Sequence, residues 1–282
     1  MSAIALPRRV SRPGVRTVYV WELRKLAAQK RTYIGLGCTL LVPLIFIASL
    51  LADDGGPEGI PFGDYVRESG LAIPLVGLFF GAFWFFPLIT ALVAGDIVAS
   101  EDGNGTLKTI LTRSVERSQV FGAKVLATAT YAIAAIVLTG TVAVVAGSIV
   151  SGFNALPTLS GTTIQPGRGL VLLGASLLVY LMPILAIAAI GLLFSTVFRN
   201  SAAAVVGTLM ASLLIQLIGI LPGLEGLGPY LLSTQFQAWQ GLLRQPVDWA
   251  PIVRAAWVCA LYAVPSLVAA FLVFLRRDVG GG

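Results

Sequence analysis

Long apolar runs separated by short polar segments dominate this sequence. Each run approaches or exceeds the roughly 20 residues that an α-helix needs to cross a hydrocarbon core ~30 Å thick. The pattern therefore predicts an all-α polytopic membrane protein with six transmembrane helices, near Tyr33–Leu51, Leu71–Gly95, Val125–Val150, Gly169–Phe194, Ala202–Leu221 and Ile252–Leu275. Between the last two runs, the largely apolar segment Gly223–Ala250 predicts a short amphipathic or re-entrant helix.

An amphipathic pattern precedes the first run. Over Val15–Arg31, apolar residues recur at helical spacing with basic residues on the other side, which predicts an interfacial helix. Glu22 falls within the apolar arc and has two interpretations. The sequence favours a local ion pair with Lys25 over a buried contact with a basic residue of the loop after the second run. We expect residues 1–14 to be a disordered cytoplasmic tail and residues 15–282 to form one transmembrane domain.

Composition and charge support this membrane assignment. Hydrophobic residues make up 57% and charged residues 11% of the chain, and the mean hydropathy is +0.89. Soluble domains contain about 25% charged residues. Basic residues concentrate before the first run, after the second and at the C-terminus, whereas the first loop on the opposite side is acidic. The positive-inside rule places both termini in the cytoplasm, which agrees with an even number of spans. The net charge of +6 therefore reflects topology rather than nucleic-acid binding.

Several kinds of chemistry are excluded or disfavoured. The chain has no histidine, which removes histidine-based catalytic dyads and histidine metal sites. It also lacks a Gly-x-Ser-x-Gly elbow and a Gly-Lys-Ser/Thr phosphate loop, so we expect neither an enzyme nor a chain that hydrolyses ATP by itself. The apolar runs are nearly free of ionisable residues, which argues against an ion-coupled pump. Cys38 and Cys259 lie inside predicted spans, so a disulfide framework is not expected. The acidic first external loop could bind a cation, but such loops are usual where positive charge is kept inside, and no metal site is predicted.

The second run is unusually aromatic, with Phe79, Phe80, Phe83 and Trp84 close together. One interpretation makes this face a hydrophobic substrate path or a seam between two copies. The other, which we favour, is contact with lipid and with the membrane interface. Pro87 follows the aromatic residues and should kink the helix.

The polar segment between the second and third runs, Asp96–Lys124, is the best candidate for a functional site. Gly103 and Gly105 should end the second helix, and Thr106 can cap a short helix with one apolar edge. Such a helix suits docking into a groove of another protein. The alternative is a solvated loop whose charges only enforce topology, and the residues alone do not decide between the two.

A resemblance adds to this pattern. The stretch Glu101-Asp102-Gly103-Asn104-Gly105-Thr106-Leu107-Lys108, with Arg117 and Lys124 downstream, resembles the Glu…Gly-Thr-Leu…Arg…Lys pattern of ABC-2 type transporter permeases. Those are the membrane subunits of type V ATP-binding-cassette exporters. The segments Trp21–Lys25 and Phe274–Asp278 agree with it in order and placement. Many members have a proline shortly after Gly-Thr-Leu, where this chain has Arg113-Ser114-Val115.

The resemblance implies a permease that works as a homodimer or heterodimer with separate cytoplasmic ATPase subunits, which would bind the ATP and Mg²⁺, so that no cofactor is expected in this chain. It implies export across a cell membrane, in a prokaryote, with membrane lipids as further partners. The nearly charge-free runs are compatible with a lipophilic or amphipathic substrate, and the charge distribution argues against nucleic acid as a partner. The residues implied to contact the ATPase are Glu22, Glu101, Gly105, Thr106, Leu107, Lys108, Ile110, Leu111, Arg117 and Lys124. Two other classes stay open: an ATP-independent facilitator or secondary transporter, and a membrane scaffold without transport activity.

Overall fold

The computed structural model describes residues 14–52, 57, 59–106 and 115–276. The α-helices are α1 (Val15–Ala27), α2 (Lys30–Ala52), α3 (Ala72–Gly81), α4 (Phe85–Ala94), α5 (Ala99–Gly103), α6 (Arg117–Ser151), α7 (Pro166–Val197), α8 (Ser201–Ile218), α9 (Leu232–Gln235) and α10 (Ala250–Arg276). Short 3-10 helices are Gly63–Tyr65, Glu225–Tyr230 and Ala238–Leu243. One hairpin pairs β1 (Leu156–Pro157) with β2 (Thr163–Ile164) in antiparallel register.

The spanning helices confirm the predicted all-α polytopic membrane fold. Five helices of the described chain (α2, α6, α7, α8 and α10) are long and apolar enough to cross a membrane, and α3 with α4 forms a sixth if the bent pair counts as one span. The third span differs from its predicted start. It begins at Arg117 rather than Val125, so residues 117–124, predicted as loop, are the first turns of a helix. The hydropathy pattern missed these turns because it scores every charged side chain as polar, whether or not that side chain is paired inside the protein.

The amphipathic helix before the first span is present but ends earlier than predicted. It runs from Val15 to Ala27, whereas the pattern predicted a helix to Arg31, which belongs to α2. Val18 and Leu26 are buried, as expected for the apolar face. Val15, placed on the same face by its spacing, is 45% exposed because it lies in the first turn.

The second span is broken rather than kinked. The sequence predicted one helix over Leu71–Gly95 with a kink at Pro87, but α3 and α4 meet at 62° across a break just before that proline. A proline ring clashes with the carbonyl four residues earlier, here Phe83, and supplies no N–H to it. The freed carbonyls have a partner: Gln216 Nε2 of α8 donates to Ala82 O at 3.0 Å and to Phe83 O at 2.9 Å. A non-local side chain thus satisfies the backbone at the break.

Helix α7 lies at the centre of the bundle. Of its most apolar 18-residue window 56% is buried, against 17–33% in the other four unbroken spanning helices. Tyr180 of α7 is fully buried and donates its hydroxyl to Leu78 O at 2.9 Å. Its ring contacts Phe86 and Phe236 with centroid distances of 5.2 and 5.0 Å. The core therefore joins the broken second span to the segment that precedes α10.

The segment between α8 and α10 was predicted as one short amphipathic or re-entrant helix. It forms three short helices instead, Glu225–Tyr230, Leu232–Gln235 and Ala238–Leu243. Its apolar side chains enter the core as the spacing indicated, and the buried ones include Leu231, Leu232, Phe236, Trp239, Leu242 and Leu243.

Candidate functional site

The turn that follows α4 is held by side chains from several helices. Gly95 lies at its start, where a Cβ atom would stand 2.8 Å from both Ala91 O and Val205 Cα. A glycine is needed there because α8 passes so close. Ser195 Oγ of α7 then accepts hydrogen bonds from the backbone N–H groups of Val98 and Ala99, each at 3.0 Å. These bonds satisfy free donors at the start of α5, as an N-cap does. The short helix α5 is thereby placed by α7.

Helix α5 carries Glu101 into a cluster of four charges, which we call the charge cluster: Glu22 and Lys25 of α1, Glu101 of α5 and Lys124 of α6. Lys124 Nζ lies 2.7 Å from Glu101 Oε2 and 3.2 Å from Glu22 Oε2. Lys25 Nζ lies 2.5 Å from the Oε1 atom of each carboxylate. Each carboxylate therefore lies between two ammonium groups, and three helices meet through opposite charges.

The charge cluster is balanced, and three of its four side chains are largely buried. The side chain of Lys124 is 0% exposed and that of Glu22 is 4% exposed. Lys124 Nζ also donates to Ile97 O at 2.9 Å, so the ammonium group is bonded to the turn as well as to the carboxylates. Two positive and two negative groups cancel, which is the arrangement that buried charge requires, since an unpaired buried ion is strongly destabilising.

The electrostatics of the cluster favour its ionised form. Burial favours the neutral form of Lys25, but the Glu101 and Glu22 carboxylates outweigh it and raise the pKa of Lys25 above its ordinary value of 10.5. Burial likewise favours neutral Glu101, and the Lys124 and Lys25 ammonium groups outweigh it and lower the pKa of Glu101 below 4.5. Both groups are therefore charged at neutral pH.

A second ion pair lies on the other side of the same turn. Asp96, 2% exposed, pairs with Arg31 of α2 through Oδ1, and the same oxygen accepts a hydrogen bond from Ser201 at the start of α8. Its Oδ2 atom has no hydrogen-bond partner among the described residues. Together with the charge cluster, this pair connects the turn to α1, α2, α6 and α8.

Of the residues that the resemblance implied, the structure brings together Glu22, Glu101 and Lys124. Glu22 makes both of the contacts that its sequence allowed: the local pair with Lys25 and the buried contact with Lys124. The favoured interpretation was therefore incomplete. Arg117 lies apart from the cluster and donates to Leu275 O at 2.7 Å, which joins the start of α6 to the end of α10.

The remaining implied residues lie at or beyond the end of α5. Gly105 has a φ of +69°, a left-handed conformation that glycine adopts readily. Thr106 is exposed, and its hydroxyl donates to Glu101 O at 3.1 Å. The other four, Leu107, Lys108, Ile110 and Leu111, lie outside the described residues. The glycines do not end the second span as predicted, because α4 already ends at Ala94.

Sequence reasoning missed several residues of the site, chiefly Arg31, Asp96, Ser195 and Ser201. Asp96 carried a signal that could have found it. Acidic residues are scarce on the basic side of the chain, and an ionisable residue at the edge of an apolar span is expected to have a partner. The two serines gave no such signal, because hydroxyl groups are common in membrane helices.

The aromatic residues of the second span lie at the break, on the surface of the bundle. Phe80, Phe83 and Trp84 are 46%, 41% and 63% exposed, and Phe79 contacts both phenylalanines with centroid distances of 5.8 Å. An exposed aromatic face fits lipid, a substrate path or a second copy, so its role stays a prediction.

Comparison with known proteins adds one match. The family model described as "ABC-2 family transporter protein" matches residues 20–214, more than half of the 282-residue chain. The matched range contains the whole charge cluster and runs from within α1 into α8. No curated protein matches the chain.

Proposed function

The chain belongs to the ABC-2 family of transporter proteins, and on this premise we propose that it is the permease of an exporter driven by a separate cytoplasmic ATPase subunit. As a member of that family it is a multi-pass membrane component of a transporter and not itself a catalytic subunit. In this proposal the energy comes from ATP, which the partner binds together with Mg²⁺. The complex contains two permease copies and lies in the cell membrane of a prokaryote.

The observation that carries the proposal is the charge cluster. Lys124 bonds to carboxylates of both α1 and α5 while it is itself part of the third span. A buried ion pair that loses one partner is destabilised by about 3–5 kcal/mol. A force on the segment that follows Glu101 therefore moves α1 and α6 along with α5 more readily than it separates them. This is the behaviour expected of a site where a cytoplasmic motor acts on membrane helices.

The outer face of α1 offers a surface to which the same ATPase subunit could bind. Arg16, Thr17, Val20, Trp21 and Arg24 line a shallow recess of about 380 Å³ on this face. Trp21 is 43% exposed, and exposed aromatic and arginine side chains are enriched where proteins bind one another. The recess lies on the helix that the charge cluster joins to α5, so a partner bound there and at residues 107–114 would act on one connected unit.

The kind of substrate follows from the spans. The charged residues of the spanning helices, Lys30, Arg31, Arg117, Lys124, Arg168, Arg254 and Arg276, lie towards the helix ends. A long apolar interior offers little to a hydrated ion. We therefore propose a lipophilic or amphipathic substrate, with the aromatic face at the break of the second span as its path.

The test is association with the ATPase. Leu107→Asp with Ile110→Asp places two charges on the predicted apolar edge and should abolish co-purification of an ATP-binding-cassette subunit from the native membrane. The matched control is Leu224→Asp with Leu227→Asp, at the same spacing in an exposed segment at the other end of the bundle. Retained association in the first variant would contradict the coupling assignment. Recovery of the unchanged chain with no ATPase would favour a facilitator or a scaffold.

A further inference from the structure

A cavity opens beside the start of α10, at the end of the bundle opposite the charge cluster. Its volume is about 650 Å³, within the ~300–1,000 Å³ of ligand pockets. The residues that line it include Tyr230, Trp249, Val253, Arg254 and Trp257. Three aromatic rings and one guanidinium group thus share a single concave surface.

The walls of this cavity are held by a contact between two of its rings and by hydrogen bonds outside it. The rings of Tyr230 and Trp257 pack at a centroid distance of 5.8 Å. Tyr262, farther along α10, donates its hydroxyl to Tyr230 O at 3.3 Å. On the other side, Asp248 Oδ1 accepts from the backbone N–H of Ala250 at 3.1 Å, which fixes the start of α10 next to Trp249. The part of the aromatic wall formed by Tyr230 and Trp257 is therefore built before any ligand arrives.

Arg254 differs from the two paired arginines at this end of the bundle, and from the exposed Arg168 in being partly buried. Arg67 donates to Leu50 O at 2.6 Å, and Arg244 lies 3.9 Å from Asp248 Oδ2. Arg254 is partly buried and makes no hydrogen bond or ion pair with the described residues. A guanidinium group carries five N–H donors and stays charged at any physiological pH. Near the start of a spanning helix such a group reaches the membrane interface, where its donors are available to an anion from outside the chain.

The surface beyond Arg254 indicates what that anion is attached to. Val253, Trp257 and Leu261 follow each other at i, i+4 and i+8 along α10 and are 62%, 45% and 61% exposed. They form an apolar stripe that leads away from the guanidinium group. An acyl chain can lie along such a stripe, whereas a small soluble anion gains nothing from it.

We propose that this cavity binds the phosphate-bearing head group of an amphipathic molecule. The guanidinium fork of Arg254 matches two phosphate oxygens, the rings of Trp249, Trp257 and Tyr230 cover the neck of the molecule, and its tail follows the stripe on α10. The ligand is either a phospholipid of the bilayer or an exported amphipath. The site does not depend on the proposed ATPase, so each proposal can fail without the other.

The test uses the purified chain in non-ionic detergent with dihexanoyl phosphatidic acid as the probe. Two of the five tryptophans line the cavity, so probe binding should change the tryptophan emission saturably. Arg254→Gln should weaken binding by roughly tenfold or more, since it removes a charge-assisted bidentate contact. Arg168→Gln is the matched control, because Arg168 is an exposed arginine in the first turn of α7, outside the cavity. Circular dichroism of both variants checks that the fold is kept.

Two further measurements sharpen the result. Neutral dihexanoyl glycerol should not bind. Trp257→Leu should weaken binding of the probe. Inorganic phosphate should compete with the probe only at much higher concentration. Equal affinity in Arg254→Gln, equal loss in Arg168→Gln, or equal binding of the neutral lipid would each overturn the proposal. In nanodiscs, displacement of the probe by phosphatidylglycerol identifies a bilayer lipid as the occupant, whereas retention of the probe excludes that lipid and favours an exported amphipath.

Discussion

The sharpest test of the charge cluster is to replace its buried lysine by methionine. Lys124→Met keeps a long side chain of similar volume but removes the ammonium group that lies 2.7 Å from Glu101 and 3.2 Å from Glu22. The change leaves a net charge of −1 among the three remaining groups. It also removes the hydrogen bond to Ile97 O.

The expected loss follows from this geometry. Removing one member of a buried ion pair costs about 3–5 kcal/mol. Lys25 still contacts both carboxylates, and its side chain is 38% exposed, so the remaining charge is partly neutralised and partly solvated. We therefore expect a loss near the lower limit, about 3 kcal/mol, out of a total stability of about 5–15 kcal/mol.

The assay is the free energy of unfolding in mixed detergent micelles, followed by circular dichroism as denaturing detergent is added. Lys30→Met is the matched control. Lys30 is an exposed lysine at the start of α2, and its replacement should change stability by less than about 0.5 kcal/mol.

A double variant separates the ion pair from side effects of the substitution. Glu101→Gln added to Lys124→Met restores neutrality, because Glu22 and Lys25 remain as one pair. Its loss of stability should be about 1–3 kcal/mol smaller than the sum of the two single losses, the coupling expected for residues in direct contact. Equal losses for Lys124→Met and Lys30→Met, or strictly additive single effects, would refute the claim that the cluster holds three helices together.

Three further predictions concern pH, the broken span and helix contact. The contact between Glu101 and Lys25 should contribute a constant stability between pH 4.5 and 10.5. This contribution is lost as pH falls through the lowered pKa of Glu101 and as pH rises through the raised pKa of Lys25, so a melting temperature that peaks sharply inside this range would contradict it. Gln216→Leu should cost about 1–3 kcal/mol, because it leaves the two carbonyls at the break without their donor, whereas an unchanged unfolding free energy would deny that role. Gly35→Ala should destabilise by about 1–3 kcal/mol because its Cβ meets the Tyr131 hydroxyl, and Tyr131→Phe in the same chain should restore most of the loss.

The spans could be predicted from sequence because each depends on a local property. A run of about 20 apolar residues is enough to identify a membrane helix, and the central parts of the predicted spans agree with the structure. The ends were less accurate where polar residues continue a helix. Arg117 and Lys124 made the start of α6 look like loop, although both side chains find partners in other helices.

The break in the second span shows a different limit. Pro87 is visible in the sequence, and its effect on the preceding carbonyls follows from its ring. The side chain that donates hydrogen bonds to those carbonyls cannot be predicted in this way. Gln216 lies more than a hundred residues away, in a helix whose sequence gives no reason to assign that amide to any one neighbour. Local chemistry therefore predicted that the helix would be disturbed, and only the packing of α8 determined how.

The site itself was half predictable, for a reason that bears on its function. Glu22 stood out as an acidic residue within an apolar arc, and Glu101 as part of the stretch that carries the resemblance. Helix α5, however, has only five residues, far too few to be stable alone. Its position depends on bonds from Ser195, Lys25 and Lys124, which come from three other helices. If α5 moved alone, Lys124 would remain buried without its nearest carboxylate, at a cost comparable with much of the protein's stability. Any displacement of α5 therefore favours a joint movement of α1 and α6. This movement can be followed by measuring distances from a label on each of these two helices.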